Sequence, residues 1–293
     1  MSDLQLGAST WCFNGLLPPE LRPILDGGAP YLPEHARVVH VYFTELVGAV
    51  LRSEIKSVEL WHSQALADKQ VTVQLQRLAD AGRISSMHAP FGRQKDLSSL
   101  DEGIRQVGVR ECSSAARLLS QLGGKTLVVH ASSSVENPAE MPERARRSAR
   151  SIAEIADNCR ALGVDIAVEI VGGPAVGSSG PELLALLDLA GRPNVGVCID
   201  VNHVFPPDHL LPTVHLLGPR ILTLHICDYD GVAEKHWLPM RGAIDWPGLI
   251  GALRQVEYSG PFMYEARFAA SSVGEAVSGI EENYRTVMAT LPR

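Results

Sequence analysis

Apolar residues fall along this chain in two alternating rhythms. Short runs rich in β-branched and aliphatic residues give way to a few polar positions, and then to longer stretches in which apolar residues return every three or four. The first rhythm belongs to a strand buried on both faces and the second to an amphipathic helix. Eight candidate strands result: LQLGAST (4–10), SVELWH (57–62), ISSMHAP (84–90), TLVVHAS (126–132), DIAVEIV (165–171), NVGVCIDVNH (194–203), ILTLHICD (221–228) and GPFMYEARF (260–268). Between them lie helical patterns such as 104–123 and 144–163, each closing on a glycine as helix C-termini do.

This alternation requires parallel strands covered by helices. Eight repeats within 293 residues fit an α/β fold of the (β/α)8 TIM-barrel type, one domain spanning 1–293. The alternative, an open doubly wound sheet, lacks its dinucleotide signature: no GxGxxG follows the first strand, and SSGP at 178–181 has neither the lysine nor the spacing of a phosphate loop. The stretch from Asn14 to Arg37, with several prolines and a Gly-Gly pair, exceeds an ordinary βα connection. It is expected to form an insertion over the barrel mouth that helps cover substrate.

Composition narrows the class of partner. Acidic residues outnumber basic ones, 33 to 26, for a formal charge of −7, which disfavours a phosphate backbone as ligand. Five cysteines, Cys12, Cys112, Cys159, Cys198 and Cys227, are scattered without CxxC spacing and read as small buried hydrophobes of a reducing cytoplasm. The N-terminus lacks the pattern of a signal peptide, and no segment approaches the roughly 18 consecutive apolar residues of a membrane helix. A cytoplasmic protein is expected.

In such barrels the C-terminal strand ends share one mouth, where chemistry is placed. Strand three ends with His88, four with His130, five with Glu169, six with Asp200 and His203, seven with His225 and Asp228, and eight with Glu265. Neighbouring strands lie about 4.8 Å apart, so these groups can converge on one point. Crowded buried carboxylates repel and take up protons unless a cation is present, so a shared divalent metal is the natural occupant. Each residue also has a structural reading. A single strand-end histidine is often a hydrogen-bonded core residue, whereas Glu169 inside IAVEIV has no Arg or Lys nearby in sequence to pair with. Arg267 offers Glu265 an ion-pair partner. Glu59 and His62 lie early in the barrel, where a polar layer closing the core is as good an explanation as substrate contact, and they stay outside the metal set. His35, His40, His209 and His215 fall on solvated segments, and Trp11, Phe13 and Trp237 line either a pocket or the core. Asp245 in GAIDW can cap the helix that starts at Trp246.

These residues resemble the xylose-isomerase-like barrels, which comprise sugar and sugar-phosphate isomerases and epimerases together with endonuclease IV. The resemblance covers nearly the whole chain and is carried by VEI with Glu169, GVCIDVNH with Asp200 and His203, LHICD with His225, EKHWLPMRGAID, and YEARF with Glu265. Matching to the ketose 3-epimerases of that family implies a divalent metal held by Glu169, Asp200, His225 and Glu265. It also implies that Glu169 and Glu265 act as acid and base on opposite faces of the substrate and that His203 touches the sugar. An arginine that holds substrate in the seventh loop of those enzymes falls near Gly231 here, so Arg241 or His236 is the substitute. His88, His130, His203, His236 and Arg241 thus form the expected substrate-binding set.

The resemblance implies a metal-dependent isomerase or epimerase of a ketose, aldose or sugar phosphate that works by proton transfer through an enediolate. Three carboxylates and an imidazole suit manganese, cobalt or magnesium, and recruitment of His88 and His130 would favour zinc. The endonuclease branch uses three zinc ions, at positions matching His88, His130, Glu169, Asp200, His203, His225, Glu234, His236 and Glu265. Glu234 stands where that branch has aspartate, and its DNA-contacting loops are not recognisable. A barrel that binds a sugar or metal without catalysis is the third reading; it would be expected to lack a carboxylate, and none of the four ligands is missing. The expected partner is a small-molecule sugar or sugar phosphate, with no nucleic acid and no membrane. A homo-oligomer is compatible with this class of barrel.

Overall fold

The structure is a computed structural model and describes residues 4–290. Eight parallel strands, β1 (Leu6–Ser9), β2 (Ser57–Trp61), β3 (Ile84–His88), β4 (Thr126–His130), β5 (Asp165–Glu169), β6 (Val195–Asp200), β7 (Ile221–His225) and β8 (Phe262–Tyr264), form one sheet in the order β7-β6-β5-β4-β3-β2-β1-β8. The ring closes between β7 and β8 through a single parallel bridge, Ile226 to Tyr264, in which Ile226 N–H donates to Met263 O and Glu265 N–H to Ile226 O. The eight-stranded TIM barrel expected from the hydrophobic pattern is therefore present. Each strand lies within its predicted run, and the runs beyond residue 200 or 225 continue as irregular backbone at the mouth.

The helices are α1 (Arg22–Leu25), α2 (Ala36–Leu51), α3 (Lys69–Asp80), α4 (Glu102–Gln121), α5 (Met141–Arg160), α6 (Gly180–Ala190), α7 (Leu210–Leu217), α8 (Trp246–Gln255) and α9 (Val273–Ala289). Their boundaries reflect local chemistry. Asp68, Asp101, Ser179, Asp245 and Ser272 accept hydrogen bonds from first-turn amides, satisfying donors that a helix leaves orphaned. Beyond α4 and α5 the chain leaves through Gly123 (φ 81°) and Gly163 (φ 63°), left-handed positions open to glycine at little cost.

Period-2 alternation along each strand decides what faces the barrel axis. Small residues fill the middle, where Val128, Ala167 and Cys198 pack together, and two positions further on each of those strands come His130, Glu169 and Asp200. All five cysteines are free and buried. The 14–37 segment packs on the β2–α3 connection, one of the loops at the mouth end of the barrel, where Tyr31 N–H donates to Gln64 Oε1 and Tyr31 Oη to Asp68, and Asn14 Nδ2 ties it internally to Asp26 at 2.5 Å. Trp11, in the turn before it, meets His236. Among the described residues no helix is long and apolar enough to cross a membrane.

Close packing of adjacent strands makes one position unusually intolerant. A Cβ at Gly196 would lie 2.5 Å from Arg220 O and 2.6 Å from Leu222 Cγ, and the first of these is backbone that cannot swing away. Gly196→Ala is expected to lower unfolding free energy by about 1–3 kcal/mol in a denaturant titration; unchanged stability would show that β6 and β7 tolerate a wider spacing.

Candidate metal centre at the barrel mouth

Strand register brings the polar groups together. His130 pairs with Glu169 across β4 and β5, and Asp200 with His225 across β6 and β7, while β6 places Cys198 opposite Glu169 and carries Asp200 two residues further towards the mouth. Glu265 comes directly after β8 and is placed by the closing bridge. Glu169, Asp200, His225 and Glu265 are all buried, and each offers a ligand atom within 4.8 Å of every other.

Glu169 is the hub. Its Oε2 lies 3.1 Å from His88 Nε2 and 3.0 Å from His130 Nε2, and its Oε1 lies 3.0 Å from His225 Nδ1. His225 Nδ1 also stands 2.5 Å from Glu265 Oε2, out of hydrogen-bonding alignment, and that oxygen has no hydrogen-bond partner. Asp200 Oδ1 accepts from Asn202 N–H at 2.8 Å, while its buried Oδ2 is likewise unpartnered, 3.3 Å from His203 Nδ1. Donor atoms crowded together yet misaligned are aimed at a common point rather than at one another. Two orphaned carboxylate oxygens inside a group of three carboxylates and an imidazole fit a divalent cation.

Burial and neighbouring charge pull the titratable groups of the site in opposite directions. Burial opposes ionisation of Glu169, but His225 first, and the hydrogen bonds of His225 and His130, outweigh it and hold its carboxyl well below the usual range, while burial keeps His130 itself below the ordinary imidazole value. Burial leads for Asp200 too, and there it prevails over His203 and His236, raising the carboxyl. His225 loses stability as a cation through burial, yet Cys198, Glu265, Glu59 and Glu169 around it lift its pKa well above the ordinary imidazole value. His203, buried but beside Asp200, Glu234 and Glu169, is lifted to about 10.

Two further groups flank these four, and Asp200, Cys227 and His236 link one of them to the inner set. His203, Glu234 and His236 form one, with His236 Nε2 2.7 Å from Glu234 Oε1 and His203 Nε2 3.5 Å from Glu234 Oε2. His236 occupies backbone of φ 52°, a conformation that a non-glycine side chain holds only under strain. The other is His88 and His130 with Glu169. Aromatic faces close over this side: Trp61 stacks on His88 at 4.1 Å, Phe91 lies 4.1 Å from His130, and Trp11 lies 4.9 Å from His236.

The structure thus gathers His88, His130, Glu169, Asp200, His203, His225, His236 and Glu265 from the sequence-derived set. Arg241 lies apart, exposed, with its backbone N–H donating to Asp228 and its guanidinium in no ion pair among the described residues. Arg267, the residue on which a purely structural reading of Glu265 would rest, lies over the Trp11 ring at 4.0 Å. Asp228 proves structural: its carboxylate accepts from the amides of Tyr229, Arg241 and Ile244 and from Trp246 Nε1, and so pins the seventh loop. Glu59, which its sequence position leaves outside the metal set, is wholly buried and lies 3.0 Å from His225 Nε2. Its partner is 166 residues away, and no local signal could have linked them.

Known proteins of similar sequence and fold include sugar epimerases. The sequence model of the family described as xylose isomerase-like TIM barrel matches residues 47–289. A ketose 3-epimerase from Arthrobacter globiformis is 25% identical over 218 residues, which is 72% of this chain and 73% of that protein. An L-ribulose 3-epimerase from Methylomonas sp. (strain DH-1) is 28% identical over 187 residues, 61% of this chain and 63% of that one. In fold, the chain resembles a D-allulose 3-epimerase from Methylomonas sp. solved with D-allulose, with a TM-score of 0.72 and 19% identity over 96% of this chain and 98% of the other.

A cation taken up by the four groups must displace protons, His225's above all. Because that imidazole keeps its proton to a pH well above the ordinary value, apparent affinity for Mn²⁺ or Co²⁺ should rise as pH climbs from 6 to 8. Calorimetry in buffers of different ionisation enthalpy would then register proton release, and an affinity flat in pH with no released proton would contradict the protonated resting site.

Proposed function

The chain belongs to the xylose isomerase-like TIM barrel family, and from that premise we propose that it is a divalent-metal-dependent sugar epimerase acting on a ketose, by proton exchange at the carbon next to the carbonyl. The observation that carries this reading is the convergence of Glu169, Asp200, His225 and Glu265, with two unpartnered carboxylate oxygens among them. The ketose 3-epimerases among the relatives support C3 as the reacting carbon and an unphosphorylated ketose as substrate.

A divalent cation held there would supply Lewis-acid stabilisation of negative charge on the substrate's carbonyl and neighbouring hydroxyl oxygens. The remaining work falls to the chain. Glu169 and Glu265 come from β5 and from the end of β8, with β6 and β7 between them, and so reach a bound sugar from different directions. One carboxylate takes the α proton and the other returns one to the opposite face, which inverts that carbon. His88 and His130, both on Glu169 Oε2, hold that oxygen in place, and His203 and His236 donate to sugar hydroxyls. Trp11, Trp61 and Phe91 give the less polar face of the sugar a dry surface, and exclusion of water protects the carbanionic intermediate from stray protons.

Replacing Glu169 or Glu265 by Gln keeps an oxygen in place and removes the base, so turnover of the true ketose should fall by about 10²- to 10⁴-fold. In heavy water, wild-type product should carry deuterium at the epimerised carbon. Near-normal turnover in both variants, or product free of deuterium there, would remove the two-carboxylate exchange.

A second reading has one specific observation in its favour. All nine positions that the endonuclease branch would use fall within three of the four adjoining groups, Glu234 included. Against it stands the formal charge of −7 on a chain that would have to approach a polyanion. No incision of an abasic-site duplex is expected at physiological salt. Metal-dependent cleavage that disappears in Glu169→Gln would reverse the ranking.

A further inference from the structure

The mouth histidines are not all oriented the same way. His88, His203 and His236 each set Nδ1 against a backbone carbonyl oxygen, that of Ala89 at 2.9 Å, Ile170 at 3.1 Å and Glu265 at 3.1 Å. A carbonyl only accepts, so Nδ1 carries the proton in all three and Nε2 turns towards a carboxylate. His225 is reversed. Its Nε2 meets the Glu59 carboxylate at 3.0 Å, and Nδ1 is the atom turned towards Glu169 and Glu265.

Glu59 reaches His225 across the inside of the barrel, since β1 and β8 stand between β2 and β7 on the closing side of the ring. It has no exposed surface, and its other oxygen accepts from Ser86 Oγ at 2.9 Å. A carboxylate buried this deeply is tolerated only where it is paired and hydrogen-bonded. It belongs to none of the groups that could hold an ion among the described residues, so its oxygens are not needed as ligands. What it does provide is a fixed acceptor behind the one imidazole of the four-ligand group.

Building on the reading of the mouth as a cation site, we propose that Glu59 is a positioning residue: it accepts a hydrogen bond from His225 Nε2–H, fixes that ring's tautomer and tilt, and so presents the Nδ1 lone pair to a divalent cation. Carboxylates behind metal-bound imidazoles also raise their basicity, and their loss weakens metal binding by about 10- to 100-fold.

The test is titration of Mn²⁺ and Co²⁺ into cation-free full-length protein by calorimetry, together with the visible spectrum of the Co²⁺-loaded form. Glu59→Met, which removes both charge and acceptor, should bind about 10- to 100-fold more weakly than wild type. Glu59→Gln keeps one acceptor oxygen and should lose less. Both should shift the Co²⁺ ligand-field bands while far-UV circular dichroism and cooperative melting persist. If the Met variant does not fold, affinity and spectrum of the isosteric Gln variant decide the question. Wild-type affinity with an unshifted Co²⁺ spectrum would return Glu59 to the role of a polar core residue and overturn the proposal. A wild-type protein that takes up neither ion would remove the cation site and the proposal together, and the wild-type titration separates that failure from the other.

Discussion

Three carboxylates buried within reach of one another are the constraint around which the barrel mouth is arranged. Glu169, Asp200 and Glu265 cannot all be ionised in a low-dielectric site without positive charge beside them. His225 and His203 can provide that charge, and the pKa directions follow it: Glu169 and Glu265 pushed down, His225 and His203 pushed up. A group of acids that depends on protons held by histidines can exchange those protons for a metal without rearranging the backbone. This is why the site can be built on rigid strand ends instead of mobile loops.

The strands are legible in the sequence because a strand covered on both faces must be apolar throughout, so the first charged residue marks its end. His88, His130, Glu169, Asp200 and His225 each close a strand in the structure, and the resemblance to a known family assigns the four convergent groups. Asp228 obeys the same pattern and proves to be a loop anchor, because its amide and indole partners lie up to 18 residues further on and leave no periodic trace. Glu59 is illegible for the opposite reason. It sits mid-strand, where a polar residue reads as core, and only closure of the barrel brings it to His225. For the 14–37 segment, length and composition are the only sequence signals, and they cannot say in which direction an insertion folds.

The adjoining groups of potential ligands bear on how members of one family diverge. The inner four and the His88–His130 group share Glu169, and Asp200 and His236 link the inner four to the His203–Glu234–His236 group through Cys227, so the same mouth is organised for one ion or for several. Glu234, on the loop that Asp228 pins, is more than half exposed and is the least constrained member of the set. Change on that loop can alter the outer groups while leaving the four buried ones untouched.

The joint between β7 and β8 is the thinnest in the ring, a single bridge at Ile226 where other neighbouring strands share a ladder. His225 and Glu265 stand on either side of that joint. An ion gripped by both would add a second tie across a seam that the Ile226 bridge already closes, as a rivet strengthens a finished hoop, so that filling the site would also stiffen the cylinder.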